Sequence, residues 1–309
     1  MKTEQKILFC DYFSQWVQVY KKDHVAPVTM KKYKNALDSL MVISPNLYLD
    51  EITKRSYQEL LNKYAETHEK QTTKDFHIKL KASLQDAVDE RILDFNPAKK
   101  AVIKGSESKA KKQKYLNLAE LEKLLKSLEL NDEPSLDWLI LILAKTGIRF
   151  SEALALTPGD FKFRENHIVI NKSWDYKSKE QGFSTTKTKS SIRNVYIDKK
   201  LSTQIKTLLT NMGNIEKNEP IFVQTKAHNS DINKRLKKLC ETVSVPVISA
   251  HSLRHTHASV LICQGVSLAS VSQRLGHANV STTQQVYIHV IKELEEKDTS
   301  KIIRCMGKL

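Results

Sequence analysis

Four short segments in the carboxy-terminal two thirds of the chain carry the residues best suited to chemistry. The first, residues 146–154, reads TGIRFSEAL, so that Arg149 follows a helix-breaking glycine. A guanidinium held at a fixed turn can bind a phosphate group through two parallel hydrogen bonds. Glu152 could pair with an arginine or cap the helix, and we interpret it as structural. Alone, the segment predicts little, because most arginines are surface charges.

The second segment, residues 186–191, reads TKTKSS and precedes a predicted strand over 193–197. A lysine at the tip of a hairpin can reach into a DNA groove or protonate a leaving oxygen, and Lys187 is the candidate. The alternative is an ordinary exposed hairpin, which this segment alone would favour.

The third segment, residues 251–257, reads HSLRHTH. At helical spacing His251 shares a face with Arg254 and also with His255. Two histidines four positions apart can bind zinc, but the zincin pattern requires a glutamate after the first histidine, where this chain has a serine. A cation between the two candidate ligands disfavours a metal and suits an anion.

The fourth segment starts with LGH at residues 275–277. Gly276 is predicted to end one helix and to place His277 in a turn, and Tyr287 follows ten residues later on the next helix. A lone tyrosine on a helix is usually a core or surface residue. Its meaning depends on the other three segments.

Together the four segments supply two arginines, two histidines, a lysine and a tyrosine. These are the groups that metal-free phosphoryl transfer through a covalent tyrosine ester requires. The ordered set resembles the tyrosine recombinase (phage integrase) family, and the resemblance extends over essentially the whole chain. The matching positions are Arg149, Lys187, His251, Arg254, His277 and Tyr287.

The resemblance implies a role for each residue. Arg149 and Arg254 are expected to hold the non-bridging oxygens of the scissile phosphate and to stabilise the transition state. Tyr287 is expected to attack the phosphorus and form a 3′-phosphotyrosyl bond. The phosphotyrosyl bond retains the energy of the broken phosphodiester. The 5′-hydroxyl of another strand can therefore attack it and reseal the DNA without ATP.

The remaining roles concern protons and hydrogen bonds. His251 is the candidate acid/base, and Lys187 is expected to protonate the departing 5′ oxygen. His277 is expected to hydrogen-bond the scissile phosphate. His255 is interpreted as a packing or hydrogen-bonding residue rather than a catalyst.

The elements that position these residues follow from periodicity. Apolar side chains recur at helical spacing through residues 1–96, which are predicted to form a helical bundle. Residues 97–115 lack periodicity and contain seven lysines, as expected of an interdomain linker. Residues 116–309 are predicted to be mostly helical, with β-like segments at 166–173 and 193–197. The predicted fold class is therefore mainly α with a small β-sheet (α+β).

Composition supports two domains and excludes several classes of protein. The chain has 309 residues, of which 40% are hydrophobic and 28% charged, and one core rarely organises that length. Its longest apolar run, residues 138–144, is too short to span a membrane. No signal peptide is indicated, and the four cysteines form no C-x-x-C pair. We therefore expect a cytoplasmic protein, associated with the nucleoid of a bacterial or phage-infected host.

The net charge of +15 predicts a polyanionic partner, most simply nucleic acid. Residues 97–116 carry seven lysines and one glutamate, and residues 117–309 have a net charge of +8, whereas residues 1–96 have only +1. The linker is either a solvated tether or a strap along DNA phosphates. The DNA-binding candidates within it are Lys109, Lys111, Lys112 and Lys114.

The resemblance also implies the partners and the domain roles. Residues 1–96 resemble the family's core-site DNA-binding domain, and residues 116–309 its catalytic domain. The expected partners are double-stranded DNA with specific recombination sites, a homotetramer on paired sites and an accessory directionality factor. No cofactor and no metal are expected. Many family members begin with an additional arm-site-binding domain, and this chain is expected either to lack it or to be truncated.

Two other functions compete with a recombinase that integrates or excises a mobile element. A type IB topoisomerase shares the transesterification, but that family typically has lysine at the position of His251 and lacks the LGH segment. A non-enzymatic DNA-binding regulator would explain the positive charge. It would not explain why six reactive residues occur in order.

Overall fold

A computed structural model of the protein describes residues 6–107, 115–178, 180–185, 189–225, 227–285, 287 and 306. The chain divides into two compact units, Met1–Lys111 and Lys112–Leu309. Helices dominate the described residues of both units, and the named strands are short and lie in the second. The predicted fold class, mainly α with a small β component, is confirmed.

The described residues of the first unit contain four α-helices around one apolar core. They are α1 (Phe9–Tyr20), α2 (Pro27–Ile43), α3 (Lys54–Ala65) and α4 (Lys70–Asp89). Thr53 caps α3, since its hydroxyl accepts the Ser56 amide hydrogen and the Ser56 hydroxyl accepts the Thr53 amide hydrogen. Phe9 and Phe13 of α1 are fully buried against the other helices.

Residues 97–107 of the predicted linker are packed on this first unit. Ala98 is fully buried, and the Val102 backbone exchanges two hydrogen bonds with the side chain of Gln58. The Ser106 amide donates to the His68 carbonyl, and its own carbonyl accepts from the Lys70 amide. Periodicity could not reveal these contacts, because the segment joins α3 and α4 through backbone groups. The four candidate lysines at 109–114 lie outside the described residues.

The second unit is built on a bundle of helices. The helices are α5 (Leu118–Lys126), α6 (Leu136–Thr146), α7 (Phe150–Leu154), α8 (Lys199–Asn211), α9 (Asn229–Thr242), α10 (Ala250–Cys263) and α11 (Leu268–Leu275). Helix α6 is its apolar centre, because nearly every side chain from Asp137 to Thr146 is buried. Helix α10 packs against α6, and residues 280–285 and 287 are helical as well.

Five strands accompany these helices in the described residues. They are β1 (Phe161–Lys162), β2 (His167–Ile170), β3 (Lys172–Asp175), β4 (Gly182–Thr185) and β5 (Arg193–Tyr196). The order β1-β2-β5 forms one antiparallel sheet, and β3 pairs with β4 in a separate hairpin. The single strand predicted over 166–173 is therefore two strands. It divides because Ile170 pairs with Arg193, whereas Lys172 pairs with Thr185.

Glycine fixes the junction between α6 and α7. Gly147 ends α6 with φ of 68°, a left-handed conformation that side chains rarely adopt. A Cβ there would lie 2.7 Å from Cδ2 of His257 on α10. The close approach of α6 and α10 therefore requires this glycine, and it places Arg149 at the start of α7.

Within the described residues, no helix is both long enough and apolar enough to cross a membrane.

Candidate active site

Arg254 of α10 lies at the centre of the candidate site. Only 4% of the residue is exposed, and its guanidinium donates to the Gly147 carbonyl at 2.7 Å and to the Leu275 carbonyl at 2.6 Å. Burial, reinforced by repulsion from Arg149, lowers the pKa of Arg254 to about 9. The guanidinium therefore remains charged at neutral pH. Its two hydrogen bonds link the third predicted segment to the first and to the fourth.

Arg149 lies beside this centre, at the N-cap of α7. Its guanidinium donates to Glu152 Oε1 at 2.6 Å and to the Gly276 carbonyl at 3.2 Å. Its backbone amide donates to Glu152 Oε2 at 2.8 Å. The side chain remains 37% exposed, so it is accessible to an anion from solvent. Glu152 both caps the helix and pairs with an arginine, as predicted.

A second arginine on Glu152 was not predicted. Arg193, the first residue of β5, donates to Glu152 Oε2 at 2.9 Å, and both side chains are almost fully buried. Burial opposes ionisation of Glu152, but attraction from Arg193 and Arg149 outweighs it and holds the pKa of the carboxyl below its ordinary value. Nothing in the local sequence distinguishes Arg193, because its partner Glu152 lies on α7 and meets β5 only in the folded chain.

Three arginines bind three consecutive carbonyls at the end of α11. The donor–acceptor pairs are Arg193 Nε with Arg274 O (2.6 Å), Arg254 Nη2 with Leu275 O (2.6 Å) and Arg149 Nη2 with Gly276 O (3.2 Å). The backbone turn that precedes His277 is therefore held by residues from β5, α10 and α7. These hydrogen bonds bring residues that are distant in sequence together in one site.

Gly276 makes this turn possible. Its φ is 69°, and a Cβ at this position would lie 3.0 Å from Arg193 Nη1 and 3.1 Å from the Ser190 carbonyl. The predicted helix end at Gly276 is confirmed. His277 follows in the turn, and its Nδ1 is hydrogen-bonded to the Thr283 hydroxyl at 2.8 Å.

His277 is neutral at physiological pH. Burial lowers its pKa to about 4, and the positive charges of Arg254 and Arg149 add to the effect. A neutral imidazole beside two guanidinium groups can donate a hydrogen bond to an anion without adding charge. The same three causes, burial first, lower the pKa of His251.

The tyrosine follows this turn in sequence and also contacts α10. Tyr287 is 2% exposed, and its hydroxyl is 3.0 Å from Nδ1 of His255. The His251 ring lies edge-on to the His255 ring, with centroids 4.9 Å apart. Burial raises the pKa of Tyr287 to about 12, and Arg254 opposes the shift without cancelling it. The phenol is therefore protonated at neutral pH.

The buried His257 and the half-buried Arg274 form a hydrogen-bonded support that sequence analysis missed. His257 Nδ1 donates to the Ala144 carbonyl at 2.9 Å, so its Nε2 is the acceptor for Arg274 Nε, also at 2.9 Å. Burial and Arg274 lower the pKa of His257 to about 3. Arg274 also donates to the backbone carbonyls of Lys145 and Tyr196, which links α11 to α6 and β5.

The structure brings five of the six predicted residues onto connected elements of one unit. They are Arg149, His251, Arg254, His277 and Tyr287. Lys187 lies outside the described residues. Among the described residues, no group of three or more His, Cys, Asp or Glu side chains is arranged to hold a metal ion.

Comparison with known families identifies the chain. The model of the phage integrase family matches residues 114–293, which is more than half of the sequence. The chain belongs to this family. A second model, the N-terminal SAM-like domain of phage integrases, matches residues 8–65 in the first unit. The resemblance inferred from the ordered motif is thus confirmed.

Individual integrases are similar over part of their length. The integrase of Staphylococcus phage L54a is 30% identical over 175 residues, which are 52% of this chain and 49% of that protein. The ICEBs1 integrase of Bacillus subtilis is 29% identical over 226 residues, 70% of this chain and 61% of that protein. The chain therefore spans about half to three fifths of these relatives.

Solved structures of integrases share the fold. The Tn1549 transposon integrase, in complex with transposon right-end DNA, has a TM-score of 0.75 at 16% identity, covering 94% of this chain and 99% of that one. The XerH site-specific recombinase, bound to a palindromic substrate, has a TM-score of 0.67 at 22% identity, covering 93% and 84%. At these identities the likeness concerns the fold alone.

Proposed function

We propose that this phage integrase family member is a site-specific DNA recombinase that integrates or excises a mobile element through a 3′-phosphotyrosyl intermediate. One observation carries the proposal. Two adjacent residues of α10 contact the two parts of the site. Arg254 binds the turn before His277, and His255 contacts the Tyr287 hydroxyl. A phosphate-binding guanidinium and a buried nucleophile are therefore positioned by one rigid helix.

Charge accounts for the phosphate site. Arg149 and Arg254 bind the non-bridging oxygens of the scissile phosphate and stabilise the additional charge of the transition state. The carbonyls of Gly276 and Leu275 accept hydrogen bonds from Arg149 and Arg254 and hold the two guanidinium groups in place. His277, neutral and beside them, donates a further hydrogen bond to the phosphate.

The covalent step breaks one P–O bond and forms another. The Tyr287 oxygen attacks phosphorus, and the 5′ oxygen leaves with a proton from Lys187. The Tyr287 hydroxyl gives up its proton as its oxygen attacks, and the family resemblance implies His251 as the acid/base. The reaction reverses when a 5′-hydroxyl attacks the phosphotyrosyl bond, so no external energy source is needed. Arginine, lysine and histidine supply the positive charge that a metal supplies in other phosphoryl-transfer enzymes.

Charge and relatives support the domain roles and partners. We assign residues 1–96 to core-site DNA binding, 97–115 to a basic linker and 116–309 to catalysis, with double-stranded DNA as the substrate. Support comes from the net charge of +15 and from the DNA-bound structures of the Tn1549 and XerH recombinases. Catalysis on paired sites by a homotetramer, with an accessory directionality factor, completes the proposal.

A trapping experiment tests the function. Nicked duplexes of randomised sequence lose a short 5′-hydroxyl fragment after cleavage, so the covalent intermediate accumulates and its DNA can be sequenced. The expected result is a Tyr287-linked adduct, formed also in EDTA, whose DNA defines one site. Absence of an adduct would leave a DNA-binding regulator as the function. Adduct formation with relaxation of any supercoiled DNA, but no exchange between two selected sites, would indicate a topoisomerase.

A further inference from the structure

The hydrogen bond between His255 and Tyr287 bears on a step that the family resemblance does not assign to His255. The Tyr287 hydroxyl is buried, and among the described residues its hydrogen bond goes to Nδ1 of His255, at 3.0 Å. The two rings are in edge contact, with centroids 5.8 Å apart. The histidine therefore touches the atom that would attack phosphorus.

Burial creates a need for a proton acceptor at this position. The same desolvation that raises the pKa of Tyr287 to about 12 keeps the phenol protonated at neutral pH. A phenol must lose its proton as its oxygen attacks, and a residue 2% exposed has little access to bulk water. An acceptor within about 2.6–3.2 Å of the hydroxyl meets the geometric requirement for general-base catalysis.

We propose that His255, rather than His251, is the general base that takes the proton of Tyr287 during DNA cleavage. The inference rests on the proposed recombinase function. As the tyrosyl oxygen forms its bond to phosphorus, the O–H electron pair remains on that oxygen and the proton moves to Nδ1 of His255. The bond from phosphorus to the 5′ oxygen breaks, and Lys187 protonates that oxygen. During resealing the His255 imidazolium returns the proton to the departing tyrosine.

Bound DNA favours the proton transfer. Arg254 is the sequence neighbour of His255, and the His251 ring lies against the His255 ring. A bound phosphate adds negative charge beside Arg254, and that charge grows in the transition state, which favours a proton on His255.

An asparagine substitution separates proton transfer from positioning. The Oδ1 atom of asparagine can take the place of histidine Nδ1 and accept the tyrosine hydrogen bond, but it cannot carry the proton. His255→Ala removes both properties. Cys263→Ser, an exposed position on the same helix α10, is the matched control.

The rate of adduct formation is measured in single turnover on the nicked duplex selected by trapping, and DNA affinity by fluorescence anisotropy. We expect both His255 variants to bind DNA within threefold of wild type and to form the adduct about 100-fold or more slowly. Added imidazole should accelerate His255→Ala, whereas tetramethylammonium chloride at the same ionic strength should not. The control should match wild type.

Two results would overturn the inference. An adduct rate for His255→Asn within threefold of wild type would show that the residue only positions the tyrosine. If His255→Asn does not bind DNA, the alanine variant decides, and a slow rate that imidazole leaves unchanged would reject the base. Failure of the wild-type protein to form any adduct would instead reject the proposed function, so the two failures are distinguishable.

Discussion

Arg193 and Glu152 form a buried ion pair 41 positions apart in sequence, with Nη2 and Oε2 separated by 2.9 Å. The same carboxylate binds Arg149, and the same guanidinium binds the carbonyl of Arg274. One negative charge thus links the arginine of the α7 N-terminus to the turn that carries His277. Removing Glu152 leaves Arg193 buried without its counterion, whereas removing Arg193 leaves Glu152 paired with Arg149 alone.

Stability should reveal this pairing. Glu152→Gln is expected to lower the free energy of unfolding by about 3–5 kcal/mol, because it leaves Arg193 buried without a counterion. Arg193→Met is expected to cost less, because Glu152 keeps its ion pair with Arg149. The double variant should be clearly less destabilised than the two single effects together would predict. Urea denaturation of the four proteins measures the cycle. The exposed Arg55–Glu59 pair on α3 supplies the control, and Arg55→Met should change stability little. Strict additivity would contradict the pairing.

Site residues that lie in a local sequence motif could be predicted from the sequence, whereas those defined only by tertiary contacts could not. Arg149 and His277 follow glycines that end helices, so each lies in a recognisable sequence context. Arg193 has no such context, because its partners come from α7 and α11. His257 was overlooked for a similar reason. Its meaning depends on Arg274, 17 positions away, and on a carbonyl of α6.

The fold shows the same division. Helix ends were predictable where a cap is encoded locally, as at Thr53 and Gly276. The break between β2 and β3 was not predictable, because alternation continues across residues 166–173 while the pairing partner changes from β5 to β4. The packing of residues 97–106 on the first unit depends on hydrogen bonds to their backbone and on a few apolar side chains without helical or strand spacing, so it leaves no hydrophobic period in the sequence.

The nucleophile can be tested by removing one oxygen. Tyr287→Phe should abolish the covalent adduct, because the attacking atom is absent, while DNA affinity stays within about threefold of wild type. The aromatic ring fills the same buried volume, so the fold should be retained. Adduct formation on trapped nicked DNA and anisotropy measure the two properties. A phenylalanine variant that still formed an adduct would assign the attack to a different residue.

The buried His257 predicts a dependence of stability on pH. An unfolded histidine titrates near pH 6.5, whereas the pKa of His257 in the folded chain is about 3. Between these values the unfolded state binds a proton that the folded state does not, so stability is fully present above pH 6.5 and falls as pH is lowered toward 3. His251 and His277 contribute in the same direction.

Thermal unfolding at several pH values measures this effect. His257→Asn should be less stable than wild type at pH 7.5, because Arg274 loses its acceptor, but its stability should fall less steeply between pH 7 and pH 4. The exposed His228 of the same unit provides the control, and His228→Asn should retain the wild-type slope. Equal slopes for wild type and His257→Asn would show that His257 is not the residue responsible.

The linker lysines predict a salt effect. Replacing Lys109, Lys111, Lys112 and Lys114 with glutamine should weaken selected and random DNA alike and flatten the dependence of log affinity on log salt. For each phosphate that a lysine no longer neutralises, the slope should fall by about 0.9, because fewer counterions are released. Replacement by arginine keeps the charge and should preserve the slope. Anisotropy titrations at several salt concentrations measure it, and an unchanged slope in the glutamine variant would make the segment a tether.

The tail after the tyrosine predicts a defect confined to assembly. Residues 292–309 include Ile302, Ile303 and Met306, an apolar group too short to form its own core, so it must pack on another surface. Of these three the structure describes Met306, whose side chain is 62% exposed. The surface is either the chain's own catalytic unit or a neighbouring protomer, and we favour the protomer. Because the tail follows Tyr287 so closely, a contact there can determine which tyrosines are positioned to attack.

A chain that ends at Asp298 should therefore bind single sites normally but be impaired in pairing sites and exchanging strands. A chain that ends at Gly307 keeps the apolar residues and is the matched control, with wild-type behaviour expected. Gel-shift analysis separates single-site from paired complexes, and exchange between a labelled and an unlabelled site measures recombination. Loss of single-site cleavage together with lower thermal stability would place the tail on its own unit. Full recombination by the chain that ends at Asp298, with normal tetramers on paired sites, would show that the tail is dispensable.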